Sequence, residues 1–448
     1  MLNYIWLALM LLAVLIGGWN GQLKDVADKA LEMADTAVVK ISFSLIGVMA
    51  LWLGIMRLAE RAGLVALLAR ALRPLMKRIF PDVPPEHPAM GSMLMNIAAN
   101  MLGLGNAATP LGLRAMKDLE SLNKTPGTAT NAMCTFLAIN TSGIQLIPVT
   151  AIAILAANKS TNPTAIVGTS IICTASACIC GVLMAKFLSK LPMFQITKAE
   201  VENRKAETTQ AAKTENEKPA VKEAATLRPL RWWGGIILAA FGLFFGFLFA
   251  RMVFPQSFGL PISEEAAKQN YFIRTVSAVS LLSIPFLLSA IPLYAILRRV
   301  KVYEEFVDGA KEGFDVAIRI IPYLVAMLVA VGMFRAAHGI DMISDALSPI
   351  LKPLHFPTDL LPMVLVRPLS GSGSLGFFTE LVKQWGPDSL IARTAGTIYG
   401  STETTFYVLA VYFGSVAVKR ARHALLAGLT ADLTSVVVAV FICRLMFG

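Results

Sequence analysis

Between Arg367 and Thr405, an otherwise strongly apolar chain carries Arg367, Ser370, Ser372, Ser374, Glu380, Arg393, Thr397, Tyr399, Ser401, Thr402, Glu403, Thr404 and Thr405. A carboxylate flanked by apolar residues is costly at membrane depth unless paired or wetted, so Glu403 reads as a functional acid that carries a proton or a cation. Asp432, in the last apolar run, is a second candidate for coupling on the same ground. Arg367 precedes Pro368 and an SGSGS run. Ser370, Ser372 and Ser374 would present backbone N–H groups at the start of a half-helix, an anion site. A guanidinium there adds a bidentate grip on a carboxylate or phosphate. Arg393, Ser401 and Thr402 complete this polar set. The structural alternatives are a bridge from Arg367 to Glu380 or Glu403, and a hydrogen bond from Glu403 to a broken helix end or to Arg393. The SGSGS run lacks the GxxxxGK[ST] pattern of a nucleotide phosphate loop.

A weaker echo lies between Asn96 and Ile147, in NIAANMLGLGNAATP and TNAMCTFLAINTSGIQLI. The side-chain oxygens of Asn96, Asn100, Asn106 and Thr109, and those of Asn140, Thr141, Ser142 and Gln145, can ligate a solute or a sodium ion. The alternative is hydrogen bonding between small-residue helix faces. Both stretches require helices that break at Gly, Ser and Asn. Such breaks survive at membrane depth only where protein or a wet cavity satisfies the freed backbone.

The composition makes that depth the natural reading. Of 448 residues, 56% are hydrophobic and 15% are charged, against about 25% charged in soluble domains. Several apolar runs reach the roughly 20 residues needed to cross a bilayer. The net charge of +11 sits beside apolar segments, as the positive-inside rule expects, with no basic–aromatic pattern for nucleic acid. The five Cys lie in apolar runs without metal or redox spacing. No His/Cys/carboxylate cluster suggests a metal, and no Ser/His, HExxH or paired-aspartate arrangement suggests an enzyme, so neither cofactor nor catalysis is expected.

In order, the pattern predicts a retained first span over 2–18, an amphipathic segment over 19–36 and a second span over 37–56. An interfacial helix follows over 64–80, then an interrupted apolar segment over 88–105 and a short polar helix from Thr109-Pro110 to Leu122. A helical run over 126–156 is broken at Asn140–Gly143 and Pro148, and a span covers 163–190. Residues 191–229 form a charged cytoplasmic linker without apolar period. An extra span and its loop fill 230–270. Spans follow over 271–297, 314–334 (after an amphipathic 302–313) and 425–446, with an interfacial segment over 338–355.

The halves repeat in order. Ala30–Val38 parallels Ala310–Ile318, Gly54–Arg57 parallels Gly332–Arg335, Leu104-Gly105 parallels Leu375-Gly376, and Asn140-Thr141 parallels Ser401-Thr402. Basic residues gather at Arg57–Arg78 in the first half but at Arg298–Lys301 and Lys419–Arg422 in the second, so the repeats should face opposite ways. This predicts an all-α polytopic membrane protein of two inverted-topology repeats, 1–190 and 271–448, with broken and re-entrant helices. Solute would bind near the midplane between them.

NIAANMLGLGNAATPLGLRAMKDLE and TNAMCTFLAINTSGIQLIP resemble spore maturation protein A, and RPLSGSGSLGFF, TIYGSTETTFYVLAVYFGSV and ALLAGLTADL resemble spore maturation protein B. The chain thus resembles a fusion of the two. Each half also resembles the nucleoside recognition (Gate) domain shared with concentrative nucleoside transporters and the bacterial ferrous-iron transporter. The resemblance implies a multi-pass protein of the bacterial inner membrane, linked in spore formers to spore maturation. The expected function is proton- or sodium-coupled transport of a small polar solute, anionic or nucleoside-like. The alternative is a non-transporting scaffold or regulator of the envelope, which predicts a packed centre. Expected partners are the solute, the lipid bilayer and the coupling ion, with room for a homo-oligomer and none for nucleic acid.

Overall fold

A computed structural model describes residues 2–195, 230–258, 270–342, 345, 349 and 356–448. The predicted linker after Gln195, the loop over 259–269 and most of the interfacial segment over 338–355 lie outside them, as does the side chain of Asn106. The described residues form helices and no strand, apart from an isolated bridge between Thr128 and Arg420. Four helices, Ile166–Leu188, Trp232–Val253, Tyr271–Leu297 and Ala424–Phe447, are long and apolar enough to cross a bilayer, and the chain is a multi-pass membrane protein.

In the first half, α1 (Leu2–Trp19) leads to α2 (Leu23–Asp35), which continues through a π-helical turn, Thr36–Ser42, into α3 (Phe43–Arg61). Then come α4 (Leu64–Ile79), α5 (Pro88–Met101), α6 (Gly105–Glu120), the half-helices α7 (Asn131–Thr141) and α8 (Val149–Ala157), and the unbroken α9 (Ile166–Leu188). The extra span is α10 (Trp232–Val253). It packs on α11 (Tyr271–Leu297) and turns Leu243 and Phe244 outward, as a lipid-facing helix does. The second half has α12 (Val302–Ala336), α13 (Leu361–Val366), α14 (Gly371–Trp385), the half-helices α15 (Leu390–Gly400) and α16 (Thr405–Gly414), and the unbroken α17 (Ala424–Phe447).

Two expectations change. The short polar helix expected from Thr109 starts at Gly105, with Pro110 inside it. The amphipathic 302–313 and the span after it are one 35-residue helix. The reason is ion pairing along its side: Glu305 meets Arg57 and Arg61 at 3.1 Å, and Glu312 meets Arg57 at 2.6 Å. These pairs stand the polar part upright against α3 instead of laying it in the interface. Glycines allow the close approach, since a Cβ at Gly313 would come within 2.6 Å of Ala50 Cα.

Packing pairs equivalent elements. α3 lies on α12 and α9 on α17, while α7 packs on α17 just as α15 packs on α9. Helices α9 and α17 run antiparallel. Arg422, before α17, donates to the carbonyl of Phe194, after α9. At the other end, the loop before α9 meets Asp388, whose partner Arg393 stacks over Phe447 at the end of α17.

Candidate functional site

The two broken spans cross at their breaks. α7 ends at Thr141, and Gly143 turns the chain with φ +54°, a conformation other residues enter at a cost. A side chain there would also strike the Thr402 backbone, 2.9 Å from a Cβ. Reciprocally, a Cβ on Gly400, the last residue of α15, would lie 2.3 Å from Pro148. The Glu403 N–H donates to the Thr141 carbonyl at 3.0 Å, so the two breaks are stitched together.

A half-helix leaves its last carbonyls without donors, and nearby hydroxyls supply them. Thr141 donates to Ala138 O, Ser142 to Ile139 O, Ser401 to Thr397 O and Thr402 to Ile398 O, at 2.6–3.0 Å. The unbroken neighbours help from outside. Thr174 on α9 reaches the Ser142 and Gly143 carbonyls, both at 2.8 Å. Ser435 on α17 meets Ser401 Oγ at 2.7 Å and Ser401 O at 3.3 Å. Four residues expected to bind solute, Thr141, Ser142, Ser401 and Thr402, therefore cap the breaks.

Arg367 does the same with a charge. It is buried, and its guanidinium donates through Nη2 to the carbonyls of Tyr399 (3.0 Å) and Thr402, and through Nε to Thr402 Oγ1 (2.9 Å). It lies 4.4 Å over the Tyr399 ring. A cation at a helix C-terminus also complements the helix dipole. Arg367 forms no ion pair within 4.0 Å of Glu403 or Glu380 among the described residues; Glu380 faces Arg335 instead, at 3.5 Å. Nε and Nη2 are thus engaged by the broken helix end, while Nη1 donates to Ser374 Oγ at 3.5 Å and the residue lines the adjoining cavity.

Between the breaks lies a cavity of about 150 Å³ lined by Gln145, Pro148, Thr150, Ala151, Arg367, Gly371, Tyr399, Gly400, Glu403 and Thr404. Among the described residues, the side chain of Glu403 has one hydrogen-bond partner, the Gln145 amide at 3.4 Å. The N-terminus of α14 reaches the cavity through Gly371, but the serines of the SGSGS run turn away. Ser370 caps α14 by accepting from Gly373 N at 2.9 Å, Ser372 meets Ser370 at 3.4 Å, and Ser374 donates to Gly371 O.

Other expected residues gather elsewhere. Asn100 donates to Asn140 at 2.9 Å, Tyr412 donates to the same Asn140 oxygen at 3.3 Å, and Asn96 donates to Ala108 O and Tyr412. This amide cluster joins helices and does not line the cavity. Thr109 lies half-buried on α6, outside the lining. Asp432 is buried on α17, where Thr405 donates to it at 2.6 Å and its second oxygen has no partner among the described residues.

Arg393 stands about 10 Å along α15 from Gly400, at 1.5 Å per residue. It pairs with Asp388 at 3.2 Å. Burial raises the Asp388 pKa, but hydrogen bonds from Ser160, Thr161 and Arg393 prevail and hold it well below its ordinary 3.8. Its contribution to stability is therefore present above that value and lost only as pH falls through the depressed one, so the cluster stays ionised near neutral pH. Burial, with the Arg422 charge beside it, pushes His423 down to about 4, which leaves it neutral there.

Sequence reasoning missed Thr174, Ser435 and Tyr412, which act on breaks in other helices, and Asp388. No local pattern announces such partners.

A family model described as Gate, nucleoside recognition, matches residues 42–159 and 317–419. Spore maturation protein B of Bacillus subtilis (strain 168) is 46% identical over 176 residues, 39% of this chain and 99% of that protein. Spore maturation protein A of the same organism is 44% identical over 187 residues, 42% of this chain and 95% of that protein. Among solved structures, the Alcanivorax borkumensis YdaH transporter aligns over 98% of this chain and 97% of its own, at 14% identity and a TM-score of 0.38.

Proposed function

The chain belongs to the Gate, or nucleoside recognition, family that includes spore maturation proteins A and B, and from that premise we propose that it is a secondary transporter of a small polar solute. The solute is anionic or nucleoside-like, and the protein works by alternating access in the bacterial inner membrane. The observation that supports this most is Glu403, an acid without an ion-pair partner among the described residues, in a polar cavity where two broken spans cross. Polar breaks at the centre of a repeat interface are where transporters of this general build hold their cargo.

At about 150 Å³ the cavity is smaller than the roughly 300–1,000 Å³ of small-molecule sites. In this reading it is a narrow state whose lining residues Gln145, Thr150 and Glu403 are only half-buried, and the seams around it must part further to admit a solute. Of the two coupling ions this reading takes the proton, since Glu403 is the one carboxylate among the lining residues. Asp432 lies behind Thr405, two residues from Glu403, as a second acid the proton could visit. The scaffold alternative predicts a packed centre. The amide cluster around Asn100 fits it, but the cavity at Glu403 speaks against it.

The experiment is uptake into proteoliposomes of purified protein, with and without a pH or sodium gradient, over a panel of nucleosides and small organic anions. Gradient-dependent uptake of a panel member supports transport; no uptake of any, with correctly inserted protein, favours the scaffold.

The antiparallel α9 and α17 also support the inverted arrangement, with the basic end cytoplasmic. Cysteines placed at Lys159 and Lys419 are expected to react with an impermeant thiol reagent from opposite faces of the membrane, Lys419 from the cytoplasmic one. Labelling of both from one face would refute the inversion.

A further inference from the structure

Two seams flank the Glu403 cavity, one towards each end of the bundle, and they are built differently. Towards the basic end, α7 packs on α16. Phe136 and Tyr412 stack there with ring centroids 6.1 Å apart. The rim is tied through backbone: Lys419 and Arg420 N–H groups donate to the Gly127 carbonyl, Ala129 N–H donates to Arg420 O, and Arg422 Nη1 donates to Ala129 O. The closure combines this ring stack with a rim held mostly by backbone atoms.

Towards the opposite end, α8 packs on α15, with Pro148 against Gly400 beside the cavity. Along the α8–α15 seam itself the polar ties among the described residues converge on one carboxylate; at the same end Lys383, near the end of α14, separately bonds Thr36 Oγ1 at 3.0 Å and pairs with Glu32 at 3.5 Å across the halves. Asp388 Oδ1 accepts from Ser160 Oγ at 2.7 Å and from Arg393 Nη2 at 3.2 Å. Asp388 Oδ2 accepts from Thr161 N at 2.9 Å and Thr161 Oγ1 at 2.8 Å. Ser160 and Thr161 follow α8 in the first half, whereas Asp388 and Arg393 belong to the second. Both oxygens are thus fully engaged across the boundary between the halves. Thr161 is exposed, so water can take up the released donors and acceptors when the rim parts. The carbonyls capped deep in the bundle have no such substitute.

From this asymmetry we propose that Asp388 is the latch of the seam opposite the basic end, a positioning residue that holds α15 against α8 and so limits access to the Glu403 cavity from that face. Release of its contacts to Ser160 and Thr161 lets α15 part from α8 while α7 and α16 stay joined. The proposal rests on the transport reading for its purpose, but its test does not.

The test uses Thr150→Cys, a cavity-lining probe, in the full-length protein in oriented membrane vesicles. An impermeant thiol reagent is applied to either face, with the parent protein and its five cysteines as background. Adding Asp388→Asn, which removes the charge and one acceptor, is expected to raise labelling from the Lys159 face on the order of tenfold, the response to losing charge-assisted bonds in a two-state element. Labelling from the Lys419 face should stay unchanged. Thr161→Ala, which removes one donor and keeps Asp388, should shift the same face in the same direction by less. Phe136→Ala should act on the other face alone. An equal rise on both faces, or none on either for both Asp388→Asn and Thr161→Ala, would overturn the latch. A one-sided rise in a protein that moves no solute would keep the latch and defeat the transport reading, so the two failures are distinguishable.

Discussion

Glu403→Gln is expected to abolish the dependence of uptake on a proton gradient while the protein still assembles. One pH unit corresponds to about 1.4 kcal/mol per proton, so a one-proton carrier can accumulate an uncharged solute roughly tenfold across it. The glutamine variant should settle at no accumulation, whatever the gradient. The substitution is nearly isosteric and keeps an oxygen for the Gln145 amide. The bond that stitches the breaks uses the backbone N–H of residue 403 and the Thr141 carbonyl, which no side-chain change removes. The readout is solute accumulation in proteoliposomes at imposed pH differences, with exchange of labelled solute at equal concentrations as the measure of intact binding. Exchange should persist in the variant. Accumulation at the wild-type level in Glu403→Gln would remove Glu403 from coupling and shift attention to Asp432.

Arg367→Ala is expected to destabilise the whole protein before it alters selectivity. Removing the guanidinium strips donors from the Tyr399 and Thr402 carbonyls and from Thr402 Oγ1. Each buried polar atom left without a partner costs about 1–3 kcal/mol, so two carbonyls alone cost about 2–6 kcal/mol. A fall of several degrees in the melting temperature in detergent should accompany poorer recovery of monodisperse protein. Arg367→Lys should rescue little, because one ammonium lacks the planar fork that reaches both carbonyls. A variant with wild-type melting behaviour and lost solute binding would return Arg367 to the role of anion grip.

The polar stretches were legible because each violates its surroundings. NTSG at 140–143 and GSTE at 400–403 combine a glycine and hydroxyls with an amide in the first and an acid in the second, where only apolar residues are cheap, and both prove to be helix ends. What those residues do was less legible. A hydroxyl in such a motif can face a solute or fold back onto the carbonyl three or four residues earlier. The choice depends on whether the neighbouring helix brings its own donor, as α9 brings Thr174 and α17 brings Ser435. Arg367 presents the same ambiguity at larger scale, because carbonyls at a broken helix end attract a guanidinium as well as a carboxylate does. The long α12 was misdivided because Glu305 and Glu312 look interfacial until Arg57 and Arg61 are known to face them. Of the five Cys, Cys134, Cys173 and Cys443 are buried, as apolar packing predicts, whereas Cys178 and Cys180 on α9 are only half-buried.

The relatives are two proteins, whereas here both resemblances lie in one chain. The contact of α9 with α17 and the Asp388 rim therefore join halves that the covalent chain, through α10, already keeps together. For separate subunits, a seam strong enough to maintain the pair would resist opening. Tethering replaces that affinity with effective concentration, fixes the stoichiometry at one to one, and lets the surfaces between the halves bind each other weakly. A boundary freed from holding the assembly together can be tuned for repeated parting, and its two rims can diverge, one held mostly by backbone and one by side-chain ties such as those of Asp388.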